Sequence, residues 1–195
     1  MQVGKAYLIT DFMLYPKTLD KFYDFYKQIL DDKQVDFACY RQKNFPFNYS
    51  LCEVFLRLNQ EYKIPSLLNS LVEIAKQYNF DGIHCNSMQK NKIQELSKNF
   101  PYIFYSAHSL QDIKEADFFG AKGITISPIF TTPNKNKPKG IDFLNTIDLD
   151  FLKADIFALG GIITDSHVKQ IQSTKIKNFA SIRYFLQNSQ PPSIL

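Results

Sequence analysis

The sequence has no tryptophan, three cysteines, three arginines and only seven glycines among 195 residues. The cysteines (Cys39, Cys52 and Cys85) are odd in number and lack CxxC spacing, which argues against a disulfide framework and a zinc knuckle. Reduced thiols of a cytoplasmic protein account for them. Three dispersed arginines are too few for DNA recognition, which leans on bidentate arginine. The net charge of +4 comes instead from scattered lysines. No apolar run approaches the length needed to span a bilayer, and no charged start with an apolar stretch and cleavage site marks a secretion signal. The expectation is a cytoplasmic protein that engages neither nucleic acid nor membrane. The oligomeric state stays open.

Aromatic bulk is what the chain has in quantity: 18 Phe and 11 Tyr, within a hydrophobic content of 45%. Short apolar runs alternate with amphipathic ones along its whole length. The strand candidates are Ala6–Thr10, Val35–Tyr40, Ile64–Leu68, Gly82–Cys85, Tyr102–Tyr105, Ile124–Ile129, Ile156–Leu159 and Asn178–Ile182. Helical periodicity appears over Leu19–Leu30, Leu51–Tyr62, Leu71–Tyr78, Lys90–Asn99, Leu110–Phe119, Ile141–Leu152 and Asp165–Ser173. Strand followed by helix, repeated about eight times, predicts a parallel sheet covered by helices. No GxGxxG follows the first strand, so an open dinucleotide-binding sheet is disfavoured. The count favours one domain over residues 1–195, a short (β/α)8 TIM barrel. The Gln190-Pro191-Pro192-Ser193 segment predicts a truncated last helix.

In a parallel barrel, chemistry sits at the carboxyl ends of the strands and in the loops that follow. Gly160-Gly161 follows an apolar strand and precedes a helix, which suits either an anion at the backbone N–H groups or a tight turn needing positive φ. Ser181 ends the last strand nearby and could add donors. The loop Ser127-Pro128-Ile129-Phe130-Thr131-Thr132-Pro133-Asn134-Lys135 gathers hydroxyls and an ammonium. Arg41 and Lys43 are two residues apart and would share one face of the second strand. Three donor-rich or basic loops point to one polyanionic ligand. His84 and His108, at strand ends, are acid/base candidates, although a structural histidine is the commoner case. His167, on a surface helix, and Cys39 read as ordinary residues.

Five motifs in order resemble those of the thiamine phosphate synthase family, which also includes the thiazole tautomerases. They are Tyr40-Arg41-Gln42-Lys43, Asp81-Gly82-Ile83-His84, Tyr105-Ser106-Ala107-His108-Ser109, the run from Gly123 to Lys135, and Ala158-Leu159-Gly160-Gly161-Ile162. The resemblance implies a barrel acting in thiamine biosynthesis on small phosphorylated pyrimidine and thiazole compounds. Its synthases join hydroxymethylpyrimidine diphosphate to hydroxyethylthiazole phosphate and release pyrophosphate. By that resemblance Arg41, Lys43 and Lys135 would hold the pyrophosphate, with Asn69 contacting it. Ser106 would lie near the pyrimidine, and Thr131, Thr132, Gly160, Gly161 and Ser181 would serve the thiazole phosphate.

The chain departs from the family pattern where Mg2+ is expected. Ser70 and Gln89 stand at or near the positions of its two magnesium-binding aspartates, and Cys39 replaces a pyrimidine-recognising glutamine. Magnesium prefers carboxylate oxygen, so loss of both should weaken metal-assisted departure of pyrophosphate. Asp11 is a candidate replacement. Two alternatives accompany the synthase reading. One is a tautomerase-type isomerase using His84 or His108, because Pro128 occupies the usual position of that enzyme's histidine. The other is a non-catalytic binder of thiamine phosphate or thiazole phosphate.

Overall fold

The computed structural model describes residues 4–43, 45–133, 135 and 137–186. Eight strands close into a barrel in sequence order, and every neighbouring pair is parallel. They are β1 (Ala6–Ile9), β2 (Phe37–Tyr40), β3 (Ser66–Asn69), β4 (Gly82–Cys85), β5 (Tyr102–Ala107), β6 (Gly123–Ile126), β7 (Asp155–Leu159) and β8 (Asn178–Ser181). Around them lie α1 (Leu19–Asp32), α2 (Tyr49–Tyr62), α3 (Val72–Gln77), α4 (Ile93–Leu96), α5 (Leu110–Phe118), α6 (Ile141–Asn145) and α7 (Asp165–Gln172). Short helices are how so compact a chain covers its eight strands: α3, α4 and α6 have six, four and five residues. None of the described helices is long and apolar enough to cross a membrane.

Two expected helices change form. The run expected at Lys90–Asn99 begins earlier, as a 3₁₀ segment over Ser87–Lys92, and ends as the single turn α4. Asn86 starts it, its side chain accepting from Met88 N while Gln89 caps the Asn86 amide. The run expected at Ile141–Leu152 stops at Asn145, and Thr146 Oγ1 donates to Phe143 O just beyond. The truncated last helix argued from Gln190-Pro191-Pro192-Ser193 lies outside the described residues. Within them, β8 is followed by a 3₁₀ turn at Tyr184–Leu186.

Period-two alternation divides the apolar residues into two sets. One packs between strands and helices; for α1 it comprises Phe22, Phe25, Tyr26, Ile29 and Leu30. There the buried Tyr26 hydroxyl donates to Asn59 Oδ1 (2.7 Å) and Asn59 Nδ2 donates to Ser66 Oγ (3.1 Å), tying α1 and α2 to β3. The other set fills the barrel: Tyr7, Ile9, Phe37, Cys39, Leu67, Tyr102, Phe104, Phe157, Leu159, Ala180 and Ile182. Phe37 and Tyr102 begin their strands, so the aromatic residues occupy the lower and middle barrel. Tyr7 and Phe104 meet edge to face at 4.8 Å, and Phe37 lies 5.0 Å from Phe104. This bulk needs a vacancy opposite it. A Cβ on Gly123 would lie 2.6 Å from the Phe104 ring.

Candidate functional site

Above the aromatic floor, the carboxyl ends of the strands surround a cavity of about 290 Å³. Its base is Ile9, Cys39, Leu159 and Ile182, the uppermost apolar side chains of their strands and loops. Its rim carries Arg41 and Lys43 from the loop after β2, and Asn69 ending β3. Asn86 and Ser87 follow β4, Ser106 and His108 belong to β5 and its loop, and Ser127, Pro128, Thr132 and Lys135 come from the loop after β6. The cations expected from separate loops therefore meet at one opening.

Arg41 is held from two sides. Its backbone N–H donates to Thr10 Oγ1 (2.9 Å) and its Nη1 lies 2.7 Å from Asp11 Oδ2. Asp11 is thus the ion-pair partner of Arg41 and lies outside the cavity lining. Lys43 sits in a more hostile field. Partial burial, then the like charges of Arg41 and Lys135, hold its ammonium pKa below the ordinary value, against a weaker opposing pull from Asp11. An incoming anion would offset the repulsion and the cost of burial by direct attraction.

A buried polar chain runs up to this mouth. Tyr7 Oη lies 2.8 Å from His84 Nδ1, and His84 Nε2 lies 2.8 Å from Ser106 Oγ. Burial, then the positive charges of Arg41 and Lys43, push the His84 imidazole down to about 3. Burial also pushes the Tyr7 phenol well above its ordinary value. Both groups are therefore neutral at physiological pH. With the Tyr7 hydroxyl donating to Nδ1, Nε2–H donates to Ser106, whose own proton is left for the cavity. The reverse tautomer would leave the phenol to donate to the Cys39 thiol beside it, a weak acceptor. His84 is thus a link rather than a proton shuttle. His108 is exposed, and its Nδ1 lies 3.4 Å from Ser127 O.

The loops after β6 and β7 are joined by backbone. Ile129 N donates to Leu159 O (2.9 Å) and Phe130 N to Gly160 O (3.0 Å). The two glycines make this closeness possible. Gly160 and Gly161 have φ of +96° and +71°, and a Cβ would fall 2.8 Å from Pro128 Cα or 2.6 Å from Thr131 O respectively. Positive φ and close approach of the neighbouring loop both require glycine here.

Not every expected site residue reaches the cavity. Thr131 is exposed beyond its edge, with its carbonyl toward Gly161. The Ser181 hydroxyl is buried and committed internally, donating to Ile162 O (2.8 Å) and accepting from Tyr184 N (3.1 Å). It fastens β8 to the glycine loop and does not present a donor to the cavity. Thr132 lines the cavity while its hydroxyl donates to Phe130 O. Asn134, within the same loop, lies outside the described residues. His167 is structural, completing the cap of α7 with Thr164 and lying 4.5 Å from the Phe130 ring.

The donors near the expected magnesium positions do not fit a protein-held magnesium ion. Asn86 Nδ2 donates to Ser70 Oγ (3.1 Å), Gln89 Nε2 donates to Ser70 O (2.9 Å), and Asn86 N donates to Gln89 Oε1 (3.2 Å). These groups are neutral and bonded to one another, whereas magnesium selects carboxylates and phosphates. The described residues lining the cavity include no Asp or Glu.

Fold and site define a (β/α)8-barrel protein with a cationic mouth at the strand carboxyl ends. The model of the thiamine monophosphate synthase family matches residues 6–185. The chain belongs to that family. An Aquifex aeolicus protein named "Putative thiamine-phosphate synthase 2" is 30% identical, over 96% of this chain and 100% of its own. A thiamine-phosphate synthase from Clostridium acetobutylicum is 27% identical, over 87% of this chain and 81% of its own. The solved thiamine phosphate pyrophosphorylase of Pyrococcus furiosus superposes with a TM-score of 0.77 at 24% identity, covering 91% of this chain and 85% of that one, a likeness of fold.

Tyr7 and Asn86 take part in the site although neither stands out in the sequence. Asn86 is visible only as one polar residue among many at strand ends. Tyr7 looks like any core aromatic, because nothing local to β1 announces a partner on β4.

Proposed function

We propose that this protein is a cytoplasmic, single-domain thiamine-phosphate synthase, a transferase that couples hydroxymethylpyrimidine diphosphate to hydroxyethylthiazole phosphate. The observation that carries this reading is the convergence of Arg41, Lys43 and Lys135 on one cavity beside the paired loops after β6 and β7. In the reaction, the bond from the pyrimidine methylene carbon to the diphosphate oxygen breaks. A bond from that carbon to the thiazole nitrogen forms, and pyrophosphate leaves. Charge grows on the departing oxygens, where the three cations stabilise it by fixed electrostatics rather than proton transfer. Asn69 assists at the same side: its Nδ2 donates one proton to His84 O and keeps a second for an anion. Ser106, oriented by His84, faces the pyrimidine. Thr132 and the Gly160-Gly161 backbone serve the thiazole phosphate, with Thr131 and Ser181 shaping their surroundings.

The isomerase alternative requires a group that takes up and returns a proton. His84 is buried with both ring nitrogens bonded and Pro128 offers no proton, which leaves that reading only His108, at the cavity edge with Nδ1 3.4 Å from Ser127 O. The synthase reading is the better supported one. Purified protein incubated with both substrates should form thiamine phosphate, detectable after oxidation to its fluorescent thiochrome. Lys43→Ala and Lys135→Ala should each lower the rate by about 10²-fold. Absence of product at high protein concentration, with substrate binding intact, would leave the binder alternative standing.

A further inference from the structure

We propose that this chain grips the diphosphate of its substrate without a protein-held magnesium ion, using Arg41, Lys43 and Lys135 as the counter-charge. The inference rests on the reading of the cavity as a diphosphate site and specifies how that site is neutralised. Three side-chain cations reach the cavity lining, and the carboxylates that touch lining residues are already paired, Asp11 with Arg41 and Asp112 with Lys90. An excess of positive charge therefore faces the opening before any ligand arrives.

The wall formed by the β3 and β4 loops adds nothing to that balance. A magnesium ion held by two carboxylates is electrically neutral as a unit, so a wall of uncharged amides and hydroxyls contributes the same net charge as a filled metal site. Replacing the unit entirely leaves the field of the three cations, offset by Asp11, as it was; replacing only the carboxylates while still needing the ion would leave the ion without hard ligands. Here the Ser70, Asn86 and Gln89 groups close on themselves. Gln89 spends Nε2 on Ser70 O and Oε1 on Asn86 N, and the Asn86 side chain bridges Ser70 Oγ and Met88 N. Recruiting these groups as metal ligands would break several of those bonds and uncap the 3₁₀ segment they start. Lys43, held near Arg41 and Lys135, is where a bound anion has most to stabilise.

Calorimetric titration of the whole purified chain with sodium pyrophosphate, in EDTA and again in excess magnesium chloride, tests this. Binding in EDTA should be as tight as with magnesium or tighter, because magnesium lowers the charge of the free anion. Lys43→Ala should weaken binding in EDTA by about tenfold, corresponding to about 1.4 kcal/mol. Binding that weakens tenfold or more on chelation would overturn the inference while leaving the diphosphate site intact. An absence of binding under both conditions would overturn the inference and the site reading together. Thiamine phosphate formation, assayed separately, reports on the function itself.

Discussion

The phenolic oxygen of Tyr7 on β1 lies 2.8 Å from Nδ1 of His84 on β4, across the closed barrel and 77 residues apart in sequence. The rings are nearly parallel, with centroids 5.6 Å apart. This contact fixes the imidazole orientation and, through Nε2, the Ser106 hydroxyl at the rim of the cavity. A residue that fills the core thereby sets the direction of a hydrogen bond at the rim.

Replacing Tyr7 with Phe keeps the ring and removes the donor. His84 Nδ1 then has no partner in a buried setting, which should cost about 1–3 kcal/mol of folding stability. Chemical denaturation measures this. An unchanged midpoint would show that the bond carries no weight. Pyrophosphate affinity should stay at the wild-type level, because the cations are untouched.

Burial of His84 as a neutral ring makes stability depend on pH in a definite direction. Its folded value is near 3, against about 6.5 for an unfolded histidine. Between those values the unfolded chain binds a proton that the native chain refuses. The contribution is therefore complete above about pH 6.5 and is lost as the pH falls toward 3, by at most about 1.4 kcal/mol per pH unit. Denaturation between pH 7 and 5 should show the decline, and His84→Gln should flatten it by one proton. Identical slopes in the two proteins would refute the assignment.

Gly160→Ala tests the joined loops. The new methyl would enter at 2.8 Å from Pro128 Cα on a backbone with φ +96°, a conformation that costs about 1–3 kcal/mol for a residue with a side chain. The expected results are a lower melting temperature and a raised KM for the thiazole phosphate. Wild-type melting would mean that the loops separate without penalty.

His167→Ala removes the group that completes the α7 cap, with an expected loss of about 1 kcal/mol. Product formation at saturating substrate should be retained. His167→Gln restores a side chain able to reach back to the cap and should recover much of the stability. A glutamine variant no better than alanine would assign the loss to the Phe130 contact instead.

The strands are legible because a parallel sheet is covered on both faces, so each reads as a brief apolar run. Several strand ends shift by one or two residues, and β6 departs furthest. Ile124–Ile129 has isoleucine at every second or third position, yet the strand spans Gly123–Ile126, since Ile129 N turns to Leu159 O instead of continuing the ladder. Arg41 and Lys43 are visible because they come directly after a buried strand, whereas Lys135, well past the end of β6, is visible only through the loop motif that holds it. The fate of the Ser181 hydroxyl is not visible. Whether it serves a ligand or the Ile162 carbonyl depends on how closely the β7 loop passes, which β8 alone does not encode. Similarly, the sequence offers Asp11 as a carboxylate near the mouth without revealing that it neutralises Arg41.

The packed rings of Tyr7, Phe37, Phe104 and Phe157 have a kinetic consequence. They plug the barrel from below, so two reactants and two products share a single doorway. Whichever compound lodges deeper must arrive before its companion, and its remnant must wait for the companion to depart. An ordered sequence is the expected outcome, to be seen as intersecting initial-rate lines with one product competing against only one reactant; random-order kinetics would show that both compounds pass each other at the entrance.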